Sequence, residues 1–95
     1  MSLAYKHLVQ KPDGTTEIVR RGVRVYTILG LKEAGDSPEV IADAYGLPVG
    51  AVYEALAYAA DHAEEMEAIR QAELAIQRAI LTRIPEELRR GIPIP

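Results

Sequence analysis

The chain has 95 residues, which suits a single domain with a modest core. It contains no cysteine, which excludes a disulfide framework and a thiolate zinc site. No apolar run approaches the roughly 20 residues that a membrane-spanning helix needs. Phe and Trp are also absent, so aliphatic side chains and five Tyr must build the core. We therefore expect a soluble, cytoplasmic protein.

Charge is segregated along the chain, although the net charge is only -3. Residues 1–32 carry six Lys or Arg and two acids, whereas residues 33–67 carry nine acids and no Lys or Arg. Residues 68–95 carry five Lys or Arg and three acids. Because the middle segment repels a polyanion, the N-terminal third is the part expected to meet one.

The N-terminal third has the composition of β-structure. Residues 3–10 and 16–25 are β-branched and partly alternating, and the segment KPDG at 11–14 carries turn-forming residues. The pattern predicts a β-hairpin or two short strands. Residues 26–34 then become helical, and Gly35 suits the left-handed conformation that ends a helix.

The second helix has the clearest start in the chain. Ser37 can accept hydrogen bonds from the first turn, Pro38 suits the first helical position, and Glu39 complements the helix dipole. The pattern predicts a helix over residues 38–45 that ends at Gly46.

A long helical pattern follows from residue 49 to residue 83. An unbroken helix of this length spans roughly 50 Å, which exceeds the diameter of about 30 Å expected of a small domain. The helix must therefore bend, or its distal half must pack on a second chain, and we expect at least a homodimer. The spaced prolines of residues 85–95 predict an extended tail.

Residues 38–57 fit a helix-turn-helix register. Ala42 is small where two helices would nearly touch, and Gly46 suits the turn. The predicted apolar packing positions are Ile41, Tyr45, Leu47 and Val52, with Ile28 and Leu31 from the preceding helix. An ordinary helical hairpin with no role in DNA binding needs the same residues, so both interpretations stay open.

The second helix of this unit lacks side chains that recognise bases. Arg, Lys, Asn, Gln, Ser and Thr are the usual base-contacting residues. The exposed positions here are instead Pro48, Val49, Gly50, Tyr53, Glu54 and Ala57. Glu54 could accept a hydrogen bond from cytosine, but its charge repels phosphate. We therefore do not expect this helix to read the major groove.

Four motifs together resemble one family: RGVRV at 21–25, TIL at 27–29, AGDSPEVIA at 34–42 and ALAYAA at 55–60. Over residues 21–62 the chain resembles domain of unknown function 433. The resemblance implies a homeodomain-like or winged helical fold. It also implies a role as the antitoxin of a type II toxin–antitoxin pair, commonly beside a PIN-like nuclease toxin.

The chain departs from this family at three places. Val25 runs directly into Tyr26, where the family usually has a short link, and DGTTEIVR at 13–20 replaces a Gly-rich segment. Pro48 stands where a Thr or Ser usually caps the third helix.

Four cations are the predicted DNA-binding residues: Arg20, Arg21, Arg24 and Lys32. Strand alternation would place Arg20 and Arg24 on one face and Arg21 on the other, with Gly22 allowing a bulge or a close backbone approach. The alternative is that these arginines pair with the acidic middle segment, within the chain or across a dimer.

The C-terminal part carries a predicted partner-binding stripe made of Ile76, Ile80, Ile84, Leu88, Ile92 and Ile94. These side chains either fold back on the core or dimerise, or they dock in a groove of a nuclease partner.

Other chemistry receives little support from the sequence. Asp61, His62 and Glu65 crowd one helical turn, but a solvated acidic face explains them better than a metal site, and His7 is interpreted as a surface or edge residue. No nucleophile motif or phosphate-binding loop is present, so we expect no enzyme activity, metal or cofactor.

The prediction is a mainly α protein, with a homeodomain-like or winged helix-turn-helix core, an N-terminal β-hairpin and a long C-terminal helix. Residues 1–84 form one domain and residues 85–95 the tail. The predicted function is that of a non-enzymatic antitoxin-like protein that binds a PIN-like nuclease and also the operator DNA of its own gene. The alternative is a structural or adaptor homodimer that does not bind DNA.

Overall fold

The computed structural model describes residues 5–84 of the chain. Within them lie two strands and four helices: β1 Leu8–Gln10, β2 Thr16–Ile18, α1 Val25–Glu33, α2 Pro38–Tyr45, α3 Val49–Asp61 and α4 Ala63–Arg83. The prediction of a mainly helical fold with an N-terminal hairpin is confirmed. The chain divides into two compact units, of which the first ends at Ala63 and the second begins at Glu64.

The hairpin is antiparallel, and its register pairs Leu8 with Ile18. Gly14, at φ 93°, closes the turn by donating its N–H to the Lys11 carbonyl oxygen at 2.9 Å. Alternation along the strands then buries Leu8, Ile18 and Thr16 on one face. The hairpin therefore contributes a buried face to the core of the first unit.

The predicted start and end of α2 are confirmed. Ser37 Oγ accepts from the Val40 N–H at 3.2 Å, and Pro38 occupies the first helical position. Gly46 ends α2 at φ 64° and ψ 37°, in the left-handed region that a residue with a Cβ avoids.

The predicted packing positions are buried, with two exceptions. Ile28, Ile41, Ala42, Leu47 and Val52 are buried, whereas Leu31 is only half-buried and Tyr45 is 44% exposed. The prediction for Tyr45 is wrong because the turn at Gly46 folds the chain back. The Leu47 N–H donates to the Ala42 carbonyl oxygen at 2.8 Å, so Leu47 takes the buried place at this end of α2.

Tyr58 of α3, which is absent from the predicted core, is a large buried side chain that joins α3 to the hairpin. Its hydroxyl accepts a hydrogen bond from the Thr16 hydroxyl at 3.1 Å. The Tyr5 ring packs edge-on against it with ring centroids 5.8 Å apart, and the His62 ring stacks on it at 3.9 Å.

The long helical pattern is interrupted at one residue. His62, at φ -125° and ψ 48°, ends α3, although its N–H still donates to the Tyr58 carbonyl oxygen at 2.9 Å. An unbroken helix over 49–83 is therefore wrong at this position. Neither Gly nor Pro marks the break; the stacked contact between His62 and Tyr58 accompanies it.

Candidate nucleic-acid interface

A tight turn follows β2 and carries the first of the predicted arginines. Arg20 lies in the left-handed region at φ 64°. The turn is closed by the Ile18 N–H, which donates to the Val23 carbonyl oxygen at 2.8 Å. The prediction that residues 16–25 form one strand, with Arg20 and Arg24 on the same face, is therefore wrong, because the left-handed residue reverses the chain after Ile18.

Arg20 holds an unfavourable backbone conformation. For a residue with a Cβ, the left-handed region costs roughly 1–2 kcal/mol, whereas Gly adopts it freely and Asn or Asp tolerate it. Residues kept in such conformations cluster at functional sites. An arginine held at this position is therefore a candidate functional residue.

A pocket of about 400 Å³ lies beside this turn. The residues that line it are the cationic Lys6, Arg20 and Arg21, with His7 and the apolar residues Ile18, Val19 and Pro48. Lys6, Arg20 and Arg21 are all exposed to solvent. The pocket is therefore an open surface lined by three cationic residues together with apolar ones, and we call it the cationic pocket.

The cations of this pocket lack acidic partners within residues 5–84. Neither Lys6, Arg20 nor Arg21 makes an ion pair with a carboxylate in that part of the chain. Within residues 5–84, no contact therefore supports the alternative that Arg20 and Arg21 pair with the acidic segment of their own chain.

His7 is attached to α3 through Glu54. The His7 main-chain N–H donates to Glu54 Oε1 at 2.8 Å, and His7 Nδ1 hydrogen-bonds to Oε2. Partial burial acts to raise the pKa of Glu54, but the hydrogen bonds from His7 outweigh it and hold that pKa below its usual value. Glu54 is thus a structural link between the hairpin and α3 rather than an exposed base-contacting residue, and His7 is not a simple edge residue.

The structure does not place all four predicted cations together. Arg24 precedes α1, its backbone bridges to Glu17, and its guanidinium lies 5.8 Å from the centroid of the Tyr26 ring. Lys32 lies in the last turn of α1, where a cation complements the helix dipole. Neither lines the cationic pocket, which is formed by Arg20 and Arg21 with Lys6 and His7.

Comparison with known proteins identifies the family. The model of the family described as "Protein of unknown function (DUF433)" matches residues 12–59. The chain belongs to the DUF433 family. The matched region begins in the hairpin turn and extends into α3, so it includes the arginine turn and the α2–α3 pair. Comparisons with curated proteins and with solved structures give no match.

The start of α3 in this DUF433 protein is apolar and aromatic. Val49 is 44% exposed and Tyr53 is 50% exposed, and the Tyr53 hydroxyl donates to Glu39 of α2. Pro48 precedes the helix and supplies no side-chain cap. These positions therefore offer apolar contacts and a tyrosine hydroxyl, but no cation, to a ligand.

Two of the predicted partner-binding residues are exposed on α4. Ile76 is 57% exposed and Ile80 is 53% exposed, while Ile84 is half-buried just after the helix. The other three, Leu88, Ile92 and Ile94, lie outside the described residues.

The side chains considered for a metal site have other contacts. Asp61 Oδ2 accepts from the Tyr5 hydroxyl at 2.8 Å, and His62 Nδ1 lies 3.0 Å from the Tyr58 carbonyl oxygen. Within residues 5–84, no three His, Asp or Glu side chains gather closely enough to hold a metal ion. No helix in the same range is long and apolar enough to span a membrane.

Proposed function

We propose that this DUF433 chain is an antitoxin-like, non-enzymatic, cytoplasmic protein that contacts DNA phosphates through its cationic pocket and binds a PIN-like nuclease toxin. The observation that carries the DNA-binding part is the convergence of Lys6, Arg20 and Arg21 on one open pocket without acidic partners in the described chain. The toxin-binding part rests on the family resemblance alone.

Phosphate oxygens are the natural ligands of this pocket. Arg presents a planar fork of donors that matches phosphate, and exposed Lys adds a point charge. Each phosphate neutralised by such a cation releases counterions, which makes binding dependent on salt. The left-handed conformation of Arg20 presents two consecutive guanidiniums, those of Arg20 and Arg21, from a turn closed by backbone hydrogen bonds.

We propose a winged helix-turn-helix role for the first unit, with the hairpin acting as the wing. In this arrangement α2, the turn at Gly46 and α3 form the supporting core, and the wing contacts the sugar-phosphate backbone. Because α3 has no base-contacting cation in its first turns, operator specificity would come from DNA shape rather than from direct readout.

The toxin would be held by the C-terminal part of the chain. In this proposal a groove of the nuclease takes up the apolar residues of the segment, which are Ile84, Leu88, Ile92 and Ile94. The arginines of the same segment would meet acidic groups near the active site of the nuclease. Co-expression with a nuclease encoded next to the chain tests this part, and we expect the two proteins to purify as one complex. A chain truncated after Arg83 should lose the nuclease while keeping its own oligomeric state. Independent elution of the full-length chain and the nuclease would contradict the toxin-binding part.

The DNA-binding part is tested by fluorescence anisotropy with a labelled duplex from upstream of the coding sequence. We expect Arg20→Ala with Arg21→Ala to weaken binding about tenfold or more at low salt. The matched control is Lys11→Ala with Lys32→Ala, which removes the same charge from exposed positions outside the pocket. Equal weakening by both variants would show a net-charge effect and would contradict a role for the pocket.

A structural or adaptor homodimer that does not bind DNA is the second candidate. It is favoured by the exposed Ile76 and Ile80 on α4, which indicate a protein contact and not a nucleic-acid contact. Absence of DNA binding by the unmodified chain, together with a stable dimer, would favour this function over the first.

A further inference from the structure

Four residues of α4 form a stripe along one face of the helix. Glu73, Ile76, Ile80 and Arg83 follow one another at steps of three, four and three residues, which places them on one side of a helix. Both isoleucines are more than half exposed. The stripe therefore has an apolar centre, an acidic end and a basic end, and we call it the α4 stripe.

An exposed apolar stripe on a helix of this length indicates a missing packing partner. Most helical stability in proteins comes from packing an apolar face and not from helix propensity. α4 belongs to the second compact unit, and it is the only helix among the described residues of that unit. Burial of Ile76 and Ile80 against another chain would supply the packing that these two side chains lack.

The charges of α4 determine which partner fits and in which direction. Residues 63–73 contain four Glu and one Arg, whereas residues 74–83 contain two Arg and no acid. Neither Arg78 nor Arg83 makes an ion pair with another described residue. A second helix with the same charge distribution is complementary to α4 only when it runs in the opposite direction.

We propose that a second copy of this chain docks on the α4 stripe in antiparallel orientation, with Ile76 against the partner's Ile80 and Glu73 against the partner's Arg83. Two-fold symmetry repeats each contact, so an Ile core of four side chains is flanked by two Glu–Arg pairs. A parallel arrangement would instead place Glu73 against Glu73 and Arg83 against Arg83. The proposal does not depend on the antitoxin function.

Sedimentation equilibrium of the full-length chain tests the apolar centre. We expect a dimer for the unmodified chain and at least a tenfold higher dissociation constant for Ile76→Gln with Ile80→Gln. The matched control is Val40→Gln with Val49→Gln, which changes two side chains of similar exposure outside the stripe. A monomeric unmodified chain, or equal weakening by the control, would overturn the proposal.

Charge reversal tests the flanking pairs without altering the apolar centre. Glu73→Arg alone and Arg83→Glu alone each create two like-charge contacts, so each should weaken the dimer by about tenfold. The double variant restores opposite charges and should recover most of the affinity. Circular dichroism checks that each variant keeps its helix content. If the dimer affinity of the double variant falls by the sum of the two single effects, the proposed Glu73–Arg83 pairing is overturned.

Cysteine cross-linking tests the orientation directly, because the natural chain contains no cysteine. Positions 73 and 83 are separated along a helix by about 15 Å, whereas disulfide formation needs Cα atoms within about 7 Å. An equal mixture of Glu73→Cys and Arg83→Cys chains should form the mixed disulfide. Dimers of Arg83→Cys alone would show a parallel arrangement. A dimer that forms neither disulfide has another interface. Either result, disulfide-linked dimers of Arg83→Cys alone or a dimer without a disulfide, would overturn the proposal.

Discussion

Replacement of Arg20 by Gly separates the stability of the arginine turn from its use. Arg20 sits at φ 64°, where the presence of a Cβ costs roughly 1–2 kcal/mol. Gly removes that strain but adds about 0.5–1 kcal/mol of unfolded-state entropy. We therefore expect Arg20→Gly to leave the free energy of unfolding unchanged or to raise it by up to about 1.5 kcal/mol, while DNA affinity falls.

The assay is thermal and urea denaturation followed by circular dichroism, with DNA binding measured on the same preparations. For a domain of this size, 1 kcal/mol corresponds to a Tm change of roughly 4–8 °C. Gly22→Ala is the matched control, because Gly22 has φ 68° and an added Cβ would meet nothing within 4 Å. Its whole penalty is conformational, so it should destabilise by about 1 kcal/mol.

A clear loss of stability in Arg20→Gly would contradict a binding role for the Arg20 side chain. Such a loss would show that the Arg20 side chain makes a contact that the fold requires. The guanidinium would then be structural, and the strain at this residue would no longer indicate a role in binding.

Two further predictions concern the contacts that hold the hairpin on α3. Because the folded pKa of Glu54 is lowered, its charge stabilises the fold at pH values above the unfolded pKa near 4.5, and this contribution is lost as the pH falls through the folded value. Glu54→Gln should therefore be less stable than the unmodified chain by about 1 kcal/mol at pH 7, with a smaller difference in acid; a pH-independent difference in urea denaturation would contradict this. Tyr58→Phe removes the acceptor of the buried Thr16 hydroxyl and should lower the free energy of unfolding by about 1–3 kcal/mol. Tyr53→Phe, at an exposed position, is the control and should lower it by less than about 0.5 kcal/mol. Similar losses of stability in the two variants on thermal denaturation would contradict this prediction.

Local signals in the sequence predict the helices and their ends. Ser37, Pro38 and Gly46 act through contacts within a few residues of their own positions, so α2 has the bounds that they indicate. Glycines at positive φ likewise end α1 and close the hairpin turn. These elements are predictable because each signal concerns the backbone of its own segment.

The errors come from residues at which no typical sequence signal marks the change in backbone conformation. Arg20 is not a typical left-handed residue, and Gly22 fits a bulge as well as a turn, so the end of β2 at Ile18 is not predictable from the sequence. The break at His62 has no Gly or Pro to mark it, and the His62 ring stacks on Tyr58, itself joined to Thr16 of the hairpin.

The cationic pocket is predictable only in part. Arg20 and Arg21 stand out by composition, but Lys6 and His7 lie more than ten residues away along the chain. The missing signal is the pairing of the hairpin itself: the Val19 N–H donates to the His7 carbonyl oxygen at 2.8 Å, and Lys6 and His7 then line the same pocket as Arg20 and Arg21.

The salt dependence of DNA binding measures whether Arg20 and Arg21 contact phosphates. Each phosphate contact contributes about 0.9 to the slope of log affinity against log salt concentration. We expect Arg20→Ala with Arg21→Ala to lower the magnitude of this slope by about 2, and Lys11→Ala with Lys32→Ala to leave it unchanged. An unchanged slope in the first variant, or the same reduction in the second, would contradict a phosphate-binding role for the cationic pocket.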